Sequence, residues 1–467
     1  VSSTRFVALL AGAWTALAAC ASLGAIAFTG GPPGSAGTDS GARIGLLPAD
    51  AWRLALALLA GLAVVLIGWR RGRAAAIAVS PLVLVFLPWL PFDVPPAFLA
   101  WTGALASLVW IGVAFALGRV AIAVALGPRH VTLFPPPRPV LVAALLSCIV
   151  FGLAAWFASP SIPGGDEPHY LVITQSLLYD RDLQIENNHQ RGDYRAYFGG
   201  DLPPHSIRRG RNGAMYSIHA PGVPALVLPA FAIGGYHGVV VFLVLLSAAG
   251  CALAWWLAWR ASGSLAGAWF GWAAVAACAP FLLESFTVFP DAPGAIVVLT
   301  GFWALMRAGW EKEGTARSTP LVWVLHGLGL ALLPWMHTRF SVLAATLGGL
   351  VLVRLAHTPN PLVKASAFLA LPAISALAWL FFFTVIYGAP DPSAPYGSQP
   401  QNVLAFFPNG AGGLLFDQGF GLFATAPVLV IAIAGFATTR RLAIEWLVVA
   451  VPYLLAVATF AMWWAGM

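Results

Sequence analysis

The sequence predicts an all-α polytopic membrane protein with about 13 transmembrane helices and an extracytoplasmic loop that carries short amphipathic helices. Three observations lead there. The 467-residue chain is 60% hydrophobic and only 9% charged. Its mean hydropathy is +0.84. Apolar runs long enough to span a bilayer recur from end to end, and helices satisfy their own backbone in lipid. An ordinary soluble domain is excluded. The net charge of +7 comes from Arg clusters between apolar runs, the pattern of cytoplasmic loops. No nucleic-acid partner is expected from it.

The candidate spans are about 5–29, 52–69, 74–91, 97–117, 139–159, 237–259, 264–283, 291–309, 320–336, 338–356, 363–387, 420–437 and 441–464. The first, Arg5 to Thr29, has no small-residue cleavage site set apart from its apolar stretch, which predicts a retained helix. The first four make an N-terminal membrane extension, residues 1–130. Residues 139–467 make a second region that includes the loop 160–221. Trp89, Trp101 and Trp463 near span ends read as interface belts. Cys20, Cys148, Cys251 and Cys278 lie inside apolar runs and read as small buried hydrophobes.

Sidedness follows from Arg. Arg70, Arg71 and Arg73 place one loop in the cytoplasm, and Arg119, Arg129 and Arg138 place another. The N-terminus is then cytoplasmic and Ser159 to Pro221 lies outside. Arg307, Lys312 and Arg317 read inside, as do Arg354 with Lys364 and Arg440 with Arg441. These placements agree only if Pro221 to Trp259 crosses an odd number of times. Pro221, Pro224 and Pro229 make Pro221–Gly235 a short outer-leaflet or re-entrant piece, with 237–259 the crossing. The loop 159–221, the loop Glu284–Asp291, the His337–Arg339 junction and the loop Gly388–Gly419 then share the outer face.

Of 17 acidic residues, seven lie in the long loop: Asp166, Glu167, Asp180, Asp182, Glu186, Asp193 and Asp201. Such a concentration predicts a folded polar surface. Pro168 to Tyr179 reads as a short amphipathic helix, capped by Asp166 or Glu167 with Pro168 in its first turn. Tyr170, Leu171, Leu177 and Leu178 give it an apolar face suited to the membrane surface. The stretch with Asn187, Asn188, Gly192, Gly199, Gly200, Pro203 and Pro204 reads as irregular coil. Two adjacent carboxylates, Asp166 and Glu167, at the mouth of a membrane helix are costly to desolvate and point to chemistry at the membrane surface.

Several pieces together carry a resemblance. They are the acidic pair after a membrane helix, the helix behind it, the run Tyr216-Ser217-Ile218-His219-Ala220-Pro221-Gly222-Val223-Pro224, and Phe289-Pro290-Asp291. Leu333-Pro334-Trp335-Met336-His337-Thr338-Arg339-Phe340 and Phe416-Asp417-Gln418-Gly419-Phe420-Gly421-Leu422 complete the set. From about Pro139 onward the chain resembles bacterial membrane glycosyltransferases of the GT-C superfamily, in the branch that holds protein O-mannosyltransferases and the aminoarabinose transferase of lipid A. The resemblance implies an enzyme of the bacterial inner (cytoplasmic) membrane. It would transfer a sugar from a polyprenyl-phosphate-linked donor to an acceptor hydroxyl on the extracytoplasmic face.

It also implies roles. Asp166 or Glu167 matches the family's general base, and Asp291 its second acidic position, orienting sugar or acceptor. An acceptor hydroxyl needs a positioned carboxylate to take its proton, and a departing lipid phosphate needs a cation. Arg339, with its bidentate fork, suits the phosphate, and His337 beside it would donate a hydrogen bond. Tyr216 and His219 would line the acceptor groove, with His169 and Tyr170 nearby. His169, His189, His205 and His219 are potential metal ligands, but their spacing fits no metal motif, so no resident cofactor is expected. A divalent ion bridging Asp166 and a lipid phosphate is the alternative. The chain departs from the family in its four preceding spans, and the family pattern implies a further outer loop and helix after Met467.

Each residue has a structural alternative: capping for Asp166 and Glu167, a helix N-terminal charge for Asp291, snorkelling for Arg339. Arg208, Arg209 and Arg211 read as a solvated patch. Two other functions compete. One is a non-catalytic integral subunit with partners in a larger membrane complex. The other is a lipid or solute transporter, which predicts charges or broken helices at the bilayer midplane. The spans are nearly free of buried charge, and the polar groups gather on one face.

Overall fold

The computed structural model describes residues 3–28, 43–90, 99, 101, 104–125, 138–397, 402–417, 421–429, 432, 440–460 and 462. Arg129, Trp463, the Gln418–Phe420 piece and part of the expected span 420–437 lie outside the described residues. The chain divides into two compact units, Val1–Pro137 and Arg138–Met467.

In the first unit the apolar runs fold as α1 (Ser3–Leu23), α2 (Ala51–Gly68), α3 (Gly72–Val79) continued by α4 (Val83–Phe86), and α5 (Ala104–Ala125). The expected first helix, 5–29, ends early. Ala25–Phe28 instead forms β1, antiparallel to β2 (Arg43–Leu46), with Ala25 opposite Leu46. Gly24 permits the switch, because a Cβ there would overlap the Leu46 carbonyl. Ala11, Ala18, Val64, Val79 and Leu82 fill this unit's core.

The second unit contains α6 (Pro139–Ala158), α7 (Glu167–Gln175), α8 (Glu186–Arg191), α9 (Gly222–Ser262), α10 (Leu265–Ala276) and α11 (Ala279–Glu284). After them come α12 (Asp291–Lys312), α13 (Pro320–Met336), α14 (Phe340–Leu355), α15 (Pro361–Tyr387), α16 (Phe407–Phe416), α17 (Leu422–Thr425) and α18 (Arg440–Ala458). Trp323, Leu333, Leu347, Val351 and Phe368 are fully buried between the long helices. Glycines let some of them approach closely: a Cβ on Gly327 of α13 would overlap the Phe368 carbonyl of α15.

Among the described residues, seven helices are long and apolar enough to cross a membrane. The architecture is compatible with an all-α membrane protein. The expected count of thirteen is not reached by this measure, because α13 and α14 are shorter, with 17 and 16 residues. The expected span 264–283 is broken between α10 and α11.

The segment α9 has 41 residues in two helices joined at a kink. Gly234 (φ −137°) and Gly235 (φ 56°) break it where the proline-rich piece was expected to end. Gly222 packs against the Trp335 carbonyl near one end of α13. Arg260, at the other end of α9, lies over the Trp310 ring, 4.4 Å from its centroid, near the far end of α12. The segment therefore runs from the end of α13 that carries Trp335 to the end of α12 that carries Trp310.

The loop 159–221 folds as a cap with its own core of Val172, Ile173, Ile185, Tyr194 and Leu202. Two expectations are corrected here. The helix expected over Pro168–Tyr179 does not present one apolar face to a membrane surface. α7 is buried almost throughout, with Tyr170 and Leu171 in the main core and Val172 and Ile173 in the cap core. Its apolar residues occupy both sides because it lies between two cores. The stretch expected as coil contains α8, held by ionic and amide contacts that a turn-residue reading does not see.

Candidate functional site

The acids of the loop 159–221 separate by what they touch. Arg191 Nη2 donates to Asp180 Oδ2 at 2.7 Å and Asp193 Oδ2 at 2.8 Å. Fully buried Asn188 donates to the same two oxygens at 2.9 and 3.0 Å. Asp182 Oδ1 accepts from Ser176 Oγ at 2.8 Å and from the Gln184 amide at 3.0 Å. Glu186 is paired with Arg209 by two bonds of 2.9 Å. These four acids hold the cap together.

Asp166 and Glu167 follow Gly165, whose φ of +55° favours glycine and turns the chain into α7. Neither carboxylate caps α7 as expected. Asp166 occupies the N-cap position, but its side chain makes no capping bond. Glu167 is 1% exposed. Its Oε1 accepts from the Gly164 amide at 3.0 Å, and its Oε2 accepts from the Val288 amide at 2.8 Å. Burial raises its carboxyl above the usual range. Both oxygens face backbone, so Glu167 anchors the cap.

Asp166 is half-exposed and faces imidazoles. Its Oδ1 is 3.4 Å from His205 Nδ1 and 3.8 Å from His219 Nε2. The two ring nitrogens are 3.0 Å apart, so one must donate and the other accept. The bond with His205 holds the Asp166 carboxyl below the usual range. Burial pushes His219 down to about 3 and His169 to about 4, so both rings are neutral near pH 7. The His169 ring lies 4.9 Å from that of His205, and the Tyr170 ring 4.6 Å from that of His219. Asp166, His205 and His219 are the described residues that could together hold a metal.

Asp291 begins α12, and Arg339 precedes α14. Arg339 Nη2 lies 3.5 Å from Asp291 Oδ1. Its Nε is buried with no partner among the described residues. His337 Nδ1 accepts from the Arg339 amide at 3.2 Å, and burial holds the ring well below its ordinary pKa. Tyr170, buried against the His219 ring, lies in the neighbourhood of Asp166, Asp291 and Arg339. A largely apolar cleft, partly open to solvent, adjoins it. Tyr216, His219, Trp335, Thr338, Phe382 and Tyr387 are among its walls.

The expected residues Asp166, His169, Tyr170, His219, His337, Arg339 and Asp291 thus come together, and Tyr216 lines the adjoining cleft. Sequence reasoning placed His205 only in a set of four histidines and missed three others. Tyr453 and Tyr396 both lie near Arg339. Neither belongs to a motif. Glu284, whose carboxyl burial raises to about 8, was visible as an acid at the edge of an apolar run. No protein-family model, curated protein or solved structure matches the chain.

Proposed function

We propose that the chain is a membrane glycosyltransferase that uses a polyprenyl-phosphate-linked sugar and works on the extracytoplasmic face of a bacterial inner membrane. The observation that carries this reading is the state of Asp166. It is the carboxylate of the acidic pair with no structural bond to backbone, and it faces a polar site that also contains Arg339. Asp166 takes the proton of the acceptor hydroxyl as that oxygen attacks the anomeric carbon from the face opposite the phosphate. The bond from that carbon to the phosphate oxygen breaks, and its electron pair leaves with the lipid phosphate. The result is inversion.

Arg339 receives the phosphate. Its buried, unpartnered Nε and the guanidinium edge near Asp291 fit an anion that shares the fork. Asp291 orients Arg339 and the sugar. The apolar cleft beside His219 suits the prenyl chain. Sidedness is supported by the opposite end of the bundle. There Arg260, Arg307, Lys312, Arg354 and Lys364 gather, with Lys364 paired to Glu311 and Arg354 to Glu445. Those buried pairs sit at helix ends, away from the midplane where a transporter would bind its cargo.

The test is Asp166→Asn in purified, inserted protein. Transfer to a hydroxyl acceptor should fall by about 10²–10⁴ with the unfolding temperature unchanged. Unchanged transfer would end the general-base assignment. A lack of polyprenyl phosphate in lipid extracted from the wild-type protein would end the donor assignment.

A further inference from the structure

We infer that Asp166, His205 and His219 form a binding site for one divalent transition-metal ion, of the zinc type, with an open coordination position. The ligand atoms are Asp166 Oδ1, His205 Nδ1 and His219 Nε2, separated by 3.4, 3.8 and 3.0 Å. Zinc bonds of ~2.0–2.2 Å in a tetrahedron place ligand atoms about 3.3–3.5 Å apart, and these three separations bracket that value. An octahedral ion with similar bonds needs neighbours nearer 2.9 Å, which only the His205–His219 pair approaches. The triangle as a whole lies nearer the tetrahedral value, and two imidazoles with one carboxylate are a donor set that catalytic zinc takes.

The surroundings point the same way. Two imidazole nitrogens face each other at 3.0 Å, where they share a single proton without an ion. An ion would accept both lone pairs and the carboxylate at once. The His219 side chain is only 9% exposed, so its ring is fixed by packing before any ion arrives. Asp166 keeps its second oxygen, and its exposure leaves the fourth position open to water, hydroxyl or phosphate oxygen.

The site does not depend on the transferase reading. If both hold, the ion would coordinate the acceptor hydroxyl or a phosphate oxygen, and Asp166 Oδ2 would still take the proton.

The test uses full-length protein without a histidine tag, purified in detergent, stripped with chelator and titrated with Co(II). One equivalent should bind and give the strong visible absorption of tetrahedral Co(II). Zn(II) should abolish it. His205→Cys should add a thiolate-to-cobalt charge-transfer band, which arises only if position 205 is a ligand. His219→Ala should weaken Co(II) binding at least tenfold. Absence of stoichiometric binding, or a wild-type spectrum in both variants, would overturn the site. Metal binding without sugar transfer would leave this site standing and remove the transferase reading. Transfer by fully stripped protein that binds no Co(II) would do the reverse.

Discussion

Glu167 Oε2 accepts a hydrogen bond from the Val288 amide at 2.8 Å, across 121 positions of sequence. This bond ties the start of the cap to the segment that leads into α12 and Asp291. It separates two adjacent carboxylates into one that holds the site and one that faces it.

Glu167→Gln should therefore destabilise the protein. A glutamine keeps one acceptor oxygen and turns an NH₂ toward the other backbone N–H. Leaving a buried donor unsatisfied costs roughly 1–3 kcal/mol. Thermal unfolding in detergent should show a clear drop that Asp166→Asn lacks. Equal stability of the two variants would refute the division of roles.

Arg339→Lys should keep a cation but lose the planar fork. Donor KM should rise about tenfold, ~1.4 kcal/mol, with a smaller change in acceptor KM. Arg339→Ala should do worse, because Asp291 then faces the phosphate alone. An effect confined to the acceptor would move the phosphate site elsewhere.

His337 should impose an acid limit on stability. Its Nδ1 accepts from the Arg339 amide, so the native ring is neutral, with Arg339, His219 and Asp166 as its charged or titratable neighbours. The folded pKa lies below the ordinary value near 6.5, so the unfolded chain binds more protons at low pH. Stability contributed by His337 is then full above about pH 7 and falls as pH drops below 6.5. His337→Gln retains an acceptor and should flatten the difference in unfolding temperature between pH 5 and pH 8. An unchanged acid limb would exclude His337 as its source.

Gly327→Ala should act on the bundle and not on the chemistry. The added methyl meets the Phe368 carbonyl, backbone that cannot swing away. Overpacking of this kind costs about 1–3 kcal/mol. Folded yield should fall while turnover per folded molecule stays constant.

The apolar helical character of the chain was legible because partition into lipid depends on composition over about twenty residues, which is a local property; the number and bounds of the spans were not. The paired acids, Asp291 and Arg339 were legible because charge is rare in this chain. α7 was misread because a short helix between two cores carries apolar residues on both sides, as Tyr170 with Leu171 and Val172 with Ile173 do. α8 was missed because Asn188 and Arg191, residues typical of exposed loops, are ordered by Asp180 and Asp193.

By itself the sequence determined an all-α architecture of apolar helices and a polar cap rich in acids. Tertiary structure alone decided which acid is tied to backbone and which faces the histidines. Neighbouring residues at a helix start point about 100° apart, so one reaches Val288 while the other faces His205 and His219. Those partners come from other turns and helices, and hydrogen bonds form by distance in space, which no local pattern encodes.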